Sequence, residues 1–402
     1  MLWLGLMISI AGTQMQTWAL FWHIRSLTDQ PIALGGVGLA RIIPLIVFSL
    51  IGGAVADVLN RRKILFFSQI IMALVAFLFA FLTISGSITL WQMYLLTAAN
   101  AIAVAFDSPA RQSLVPNLVP AKDLPNAFSL TSIAYQTGSI VGPAISGLVI
   151  AYLGQSYTYL INGISYFAVI LALVLMGTVP QQSNIQKRNR VNLQAISEGI
   201  RFIINQPIIL STMLLDFFAT FFSSANTLMP IFARDILHVG PVGYGWLSSA
   251  QSIGAVIASV IVSQVNEIRR QGEKIIVAVI IFGIATIAFG LTSSFAIAML
   301  ALMVLGASDS VSMIIRTTIR QLHTPDNIRG RISSVNQIFF MGGPQLGEIE
   351  AGIVAQLFGA PLAVISGGVG CILAAILIAQ HWPQLRKYNG DEPILSGSSV
   401  NL

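Results

Sequence analysis

The chain has 402 residues, of which 55% are hydrophobic and only 9% charged, and its mean hydropathy is +0.81. Water-soluble domains carry about 25% charged residues, so this composition excludes an ordinary soluble protein and points to a polytopic, all-α membrane protein. The formal charge of +6 carries no nucleic-acid reading, because the sequence offers no contiguous soluble basic surface.

Apolar segments of about 20 residues, each long enough to cross some 30 Å of hydrocarbon, are predicted at 1–22, 34–56, 64–85, 89–108, 127–150, 157–179, 207–230, 242–265, 275–292, 294–313, 330–357 and 361–380. The first starts at Met1 without a basic leader or small-residue cleavage site and is expected to be a retained span. It carries Gln14, Gln16 and Thr17 near its middle, with Trp18 beside them, and the second span carries Arg41. Polar groups placed where lipid penalises them mark a candidate path for a substrate.

The joint after the second span reads GGAVADVLNRRK, from Gly52 to Lys63. Gly53 allows close helix approach, Asp57 sits at a helix end, and Arg61 and Arg62 can reach headgroups, carboxylates or the C-terminal ends of neighbouring helices. A plain positive-inside anchor would explain the two arginines and leave Asp57 unexplained. This stretch resembles the loop motif of the major facilitator superfamily, with Val58 where a basic residue is usual and Asn60 where glycine is usual. The wider chain is similar to that superfamily's bacterial drug and siderophore exporters, including enterobactin exporters and macrolide efflux proteins. The resemblance implies twelve transmembrane helices in two pseudo-symmetric six-helix bundles, with the motif's Asp and Arg clamping the halves on the cytoplasmic side.

After the fourth span, AFDSPARQSLVPNLVPAKDLPNAF places Asp107 and Arg111 four residues apart, close enough to pair on one helix face. Span five contains YQTGSIVGPAISG, Tyr135 to Gly147, which resembles the antiporter motif of drug:proton exporters through Gly138, Gly142, Pro143, Ser146 and Gly147; Ser129 replaces the glycine expected further upstream. Small residues let another helix approach closely while Pro143 removes an N–H and can bend its own helix, which suits a gate; ordinary small-residue packing is the alternative. The resemblance implies span eight as partner, through Gly245, Ser248, Ser249, Ser252, Gly254 and Ala255.

Pro180 to Gln206 is the longest charged joint, ending in a short amphipathic stretch. It divides the chain into 1–179, a linker 180–206, 207–380 and a tail 381–402. An offset of 205 residues aligns Pro120 with Pro325, Ser129 with Ser334, Gly138 with Gly343, Gly142 with Gly347 and Gly147 with Gly352, the signature of a duplicated unit. In the second half, Asp309, Arg316, Arg320 and Arg331 echo the latch around Asp107 and Arg111. Span seven contributes Asp216, Phe217 and Asn226, and span eleven Asn336, Gln337, Glu348 and Glu350, while Tyr135 and Gln136 add to the cavity candidates from span five. Asp216 and Glu348 lead as proton-coupling residues, with Glu350 and Arg41 as further candidates, since a carboxylate sheltered from water can exchange a proton as access alternates. A fixed ion pair with Arg41 or another cation is the competing reading.

Lys and Arg concentrate in alternate joints, which places both termini in the cytoplasm of a bacterial inner membrane. No GxxxxGK[ST] stretch, GxSxG elbow or metal-ligand spacing is present, and Cys371 is the single cysteine, so no enzyme, cofactor, metal or disulfide is expected. The expected function is export of an amphipathic organic molecule, a drug or siderophore, by proton antiport through alternating access. A proton-coupled importer and a non-transporting receptor or scaffold are the alternatives. The expected partners are the substrate, protons and membrane lipids, and one such chain encloses a cavity alone as a monomer. Asp57→Asn should impair transport more than membrane insertion; normal flux at normal expression would remove the gating role of Asp57.

Overall fold

A computed structural model of the chain describes residues 2–176, 201–222, 225–265, 267–324 and 329–390. Among these residues the structure is helical throughout, with nine helices long and apolar enough to cross a membrane. The helices are α1 (Leu2–Leu27), α2 (Ile32–Val58), α3 (Arg61–Ile84), α4 (Leu90–Leu114), α5 (Leu124–Tyr152), α6 (Gln155–Leu175), α7 (Pro207–Phe222) and α8 (Ala225–Ile231). They continue with α9 (Gly240–Ser263), α10 (Gln271–Leu291), α11 (Phe295–Leu322), α12 (Arg329–Phe358), α13 (Ala360–His381) and the short α14 (Pro383–Lys387). The 26-residue α1, 25-residue α4 and 30-residue α12 are as long as the apolar nine without belonging to them. These are the helices that carry Gln14 and Gln16, Asp107 and Arg111, and Glu348 and Glu350.

The chain forms two compact units, Met1–Val191 with Met229–Ser249, and Asn192–Leu228 with Ala250–Leu402. In the first, α1 packs on α5 and α6, α3 on α4 and α6, and α2 on α4. Its core joins Leu6, Ile64, Leu65, Leu114, Val169 and Leu173. In the second, α7 packs on α12 and α13, and α10 on α11 and α13. Its core gathers Leu215, Ile275, Val279, Phe282, Ile315 and Cys371. The order of pairing in the first unit thus recurs in the second. Outward-facing apolar side chains such as Phe81, Leu95 and Leu171 in the first unit and Leu300 and Leu377 in the second are exposed, as lipid-facing residues should be.

Two details of the chain support the 205-residue offset. Gly154 precedes α6 with φ +92° and Gly359 precedes α13 with φ +88°, so the same tight joint, in a backbone region that favours glycine, occurs at matched positions. Gly138 on α5 lies against Ile10 and Ala11 of α1, and Gly343 on α12 lies against Phe217 and Thr220 of α7. Of the linker 180–206 and the tail 381–402, residues 180–200 and 391–402 lie outside the described residues; the chain just after α14, at the start of the tail, is tied to α10 by Gly272 N–H donating to Tyr388 O at 3.0 Å.

Close backbone approach also sets the packing of α9 on α11. A methyl group at Gly254 would fall on the carbonyl of Met303, and one at Gly306 on that of Gln251. Overpacking a helix contact typically costs about 1–3 kcal/mol. Gly254→Val should therefore lower the melting temperature of the detergent-solubilised protein, measured by tryptophan fluorescence, more than the same change at the unobstructed Gly342.

Candidate transport site

The glycine run of α5 is a two-sided surface. A side-chain carbon at Gly142 would stand 2.6 Å from Gln14 Cβ and 2.7 Å from Ala11 O, so this residue faces α1. Gln14 Nε2 donates to Ser139 Oγ at 2.9 Å, and Ser146 Oγ donates to Met15 O at 3.0 Å, closing the same interface with hydrogen bonds. Gly147 faces the other way: a carbon added there would lie 2.9 Å from Gly245 Cα on α9, and one added at Gly245 would lie 2.7 Å from Pro143 O. Ser249 Oγ donates to Ile140 O at 2.8 Å. The expected partnership with span eight thus holds for Gly147, Gly245 and Ser249, whereas Gly138 and Gly142 pack on α1 and Gly254 on α11. Helix α5 runs unbroken through Pro143.

Ion pairs in each unit show which charged residues meet. In the first, Asp107 is buried and accepts from Arg111 Nε at 3.0 Å and from Gln69 Nε2 at 2.8 Å. The sequence pairing of Asp107 with Arg111 is present, with Gln69 of α3 as an additional partner. Arg61 Nη1 donates to Ser113 O at 3.0 Å, and Arg62 donates through Nε to Leu173 O at 2.7 Å and through Nη2 to Val174 O at 3.2 Å. These contacts cap the C-terminal ends of α4 and α6. Asn60, the departure from the usual glycine, caps α3 by accepting from Lys63 N–H at 3.2 Å. The side chains of Gly53, Asp57, Arg331 and Gln337 lie outside the described residues.

In the second unit, Arg316 Nη2 stands 2.9 Å from Asp216 Oδ1 and 3.5 Å from Asp309 Oδ1. Arg316 is 2% and Asp216 4% exposed. The cation beside Asp216 is therefore Arg316 of α11, which answers the fixed-pair reading through a cation other than Arg41. Arg41 instead lies over the ring of Phe21, with Cζ 5.4 Å from its centroid, within the first unit. Spacing could not find the Asp216–Arg316 pair, because its members are a hundred residues apart on different helices.

The cavity candidates have mixed placements. Gln16 is buried between α1 and α6, where its Oε1 accepts from Asn162 Nδ2 at 2.7 Å. Trp18 O accepts from Tyr244 Oη at 2.8 Å and the two rings lie edge to face 6.0 Å apart. Phe217 stacks on Phe221 with centroids 5.9 Å apart. Tyr135 is exposed, while Gln136, Asn226, Asn336, Glu348 and Glu350 are half-buried. Sequence reasoning missed a cluster at the end of α1. Arg25 contacts Asp235 through Nη2 at 2.7 Å and Asp29 through Nη1 at 3.0 Å, and Arg234 Nη1 donates to Arg25 O at 3.0 Å. Asp235 belongs to a π-helical turn, Phe232–Ile236, after α8. The juxtaposition of opposite charges in Arg25/Asp29 and Arg234/Asp235 was the available signal.

Residues 1–396 match the transmembrane secretion effector family. The chain belongs to this family of the major facilitator superfamily. Its relatives include the multidrug efflux pump Tap of Mycolicibacterium fortuitum, 25% identical over 92% of this chain and 91% of that protein. The enterobactin exporter EntS of Escherichia coli is 22% identical over 87% of this chain and 83% of its own length. Among solved structures, a bacterial homologue of the human lysosomal transporter Spinster superposes with a TM-score of 0.76 at 15% identity, covering 96% of this chain and 97% of the other. These matched proteins are transporters, and the chain is a multi-pass membrane transport protein rather than an enzyme.

Removing one member of a buried ion pair leaves an uncompensated charge and costs roughly 3–5 kcal/mol, whereas replacing both with apolar groups is often neutral. Arg316→Met should lower the melting temperature markedly, because Asp216 and Asp309 both lose their cation, and the Asp216→Leu/Arg316→Met double variant should regain part of that loss. Equal stability of Arg316→Met and the unaltered protein would show that the pair is not sealed from water.

Proposed function

We propose that the protein exports amphipathic organic molecules from the cytoplasm in exchange for protons, by alternating access of two six-helix halves. The halves are 1–179 and 207–380, joined by the linker 180–206 and followed by the tail 381–402, and together they supply twelve spans. The recurring helix-pairing order and the matched glycines at 154 and 359 support the duplication. The concentration of Lys and Arg in alternate joints supports a cytoplasmic location for both termini.

The observation that carries the coupling is the ion cluster of Asp216, Arg316 and Asp309 inside otherwise apolar helices. Charges in such a place are costly and serve pathways or proton relays. Kinship with the multidrug efflux pump Tap and the enterobactin exporter EntS supports a drug or siderophore as cargo. Exposed Tyr135 and the Phe217–Phe221 stack supply aromatic surface for a substrate of that kind. Gly142, Gly147 and Pro143 act as smooth contacts that part and re-form, with Asp107, Arg111, Arg61 and Arg62 as cytoplasmic latches. Gly53 and Asp57 belong to the same latch.

Reconstitution into liposomes tests this reading. With a panel of lipophilic drugs and catecholate chelators, at least one compound should accumulate in the lumen when the lumen is acidic. Accumulation should cease when an ionophore collapses the gradient, and the flux should change direction when the gradient is reversed. Movement of substrate and proton in the same direction would identify an importer, and binding without flux a receptor or scaffold.

A further inference from the structure

Proton exchange needs an acceptor that water can reach, and we infer that this acceptor is Asp309, with Asp216 as the fixed counter-ion of Arg316. This assignment rests on the proton-coupled reading above and specifies the atom group that serves it.

The two carboxylates converge on the same nitrogen of Arg316 but are not equivalent. Asp216 is the nearer, at 2.9 Å, while Asp309 stands at 3.5 Å. The side chains of Arg316 and Asp216 are 2% and 6% exposed, whereas that of Asp309 is 36% exposed. Asp216 Oδ1 meets Arg316 as a charge contact without a hydrogen bond, but the pair is sealed and has no route for a proton; the more accessible carboxylate has one.

Helix geometry turns Asp309 away from the main apolar stripe of α11. Ile297, Leu300 and Val304 form that stripe, while exposed Met313 stands apart from it, one turn beyond Asp309. At about 100° per residue, Asp309 lies roughly 140° around the helix from Val304 and about 180° from Leu300. Its exposed edge is turned away from the hydrocarbon-facing stripe, towards a side that water can wet.

Few charged groups surround Asp309. In direct contact are two carboxylates and one guanidinium, a surplus of one negative charge. Arg320, one turn beyond Arg316 on α11, is the next cation; its Nη2 donates to Thr317 Oγ1 at 3.2 Å. His323 lies further along the same helix, against Tyr388. On the helices packed around α11, α7 carries no charged residue besides Asp216 and α9 carries none. Glu273 and Lys274 of α10 are exposed at its first turn, and α13 contributes the buried thiol of Cys371. Arg316 Nε and Nη1 make no hydrogen bond to the described residues, so the guanidinium is held chiefly through Nη2. When Asp309 takes a proton from water and becomes the neutral acid, Arg316 keeps Asp216. No other bond forms or breaks. Release of that proton re-creates the second attraction on Arg316, giving α11 two states that differ in one charge.

Infrared titration of the purified protein in nanodiscs, combined with liposome flux, tests the assignment. Lowering the pH should produce a protonated-carboxyl band that is lost in Asp309→Asn and persists in Glu348→Gln. The same Asp309→Asn variant should lose the acceleration of flux by a proton gradient, its rate falling towards that seen without one. If Asp309→Asn does not fold, Asp309→Glu replaces it, and the band should then move in frequency and midpoint. A band that persists in Asp309→Asn, or does not move in Asp309→Glu, overturns the assignment. So does a full gradient response in Asp309→Asn. An unaltered protein indifferent to the gradient defeats proton coupling itself, and the infrared band still decides whether Asp309 accepts the proton.

Discussion

Hydrocarbon supplies no hydrogen-bond partner, so every polar group that enters the membrane must bring its own or find one on a neighbouring helix. Much of the molecule follows from this constraint. Hydroxyls turn back onto their own helices, as Thr13 Oγ1 does to Ser9 O at 2.8 Å, Ser248 Oγ to Tyr244 O at 2.8 Å and Thr286 Oγ1 to Phe282 O at 2.9 Å. Amides pair across helices, as Gln16 does with Asn162, and Ser165 Oγ then donates to Asn162 Oδ1 at 3.0 Å. Where helices meet without side chains between them, glycine brings backbone against backbone and dispersion replaces the missing hydrophobic drive. Each such contact fixes an azimuth, and the azimuths decide which residues remain available for function.

The two units solve the same problem with different parts. Arg111 and Arg316 stand at the 205-residue offset that also relates Gly138 to Gly343 and Gly154 to Gly359. Arg111 takes its carboxylate from its own helix, one turn away at Asp107. Arg316 takes its nearer one from α7. A pair within one helix adds no tie to its neighbours, although Gln69 extends this one to α3; a pair between helices couples the position of α11 to that of α7. At this offset the cation and the close-packed joints match, while the acids differ.

The membrane class and the locations of the helices were legible because they depend on local composition and on spacing along the chain. Asp107 with Arg111 was legible for the same reason. The partner of Asp216 was not, since hydropathy locates a span without saying how it is rotated or what it touches. The same blindness gave α5 a single expected neighbour, when Gly142 and Gly147, five residues apart, face different helices. The contacts of Arg25 with Asp29 and Asp235 emerge only once the end of α1 meets the π-helical turn. Asn60 illustrates the reverse: a departure from a family pattern whose reason is a simple helix cap.

Arg61 and Arg62 are adjacent on the first turn of α3, yet one grips the end of α4 and the other the end of α6. Two neighbouring side chains thereby splice three helix ends into one mechanical element. A tilt of α3 cannot be local: it hauls the carbonyl ends of α4 and α6 with it, or else strips each of them of its donor. The pair works as a yoke, and the load it transmits includes α4, the helix on which Asp107 and Arg111 are mounted.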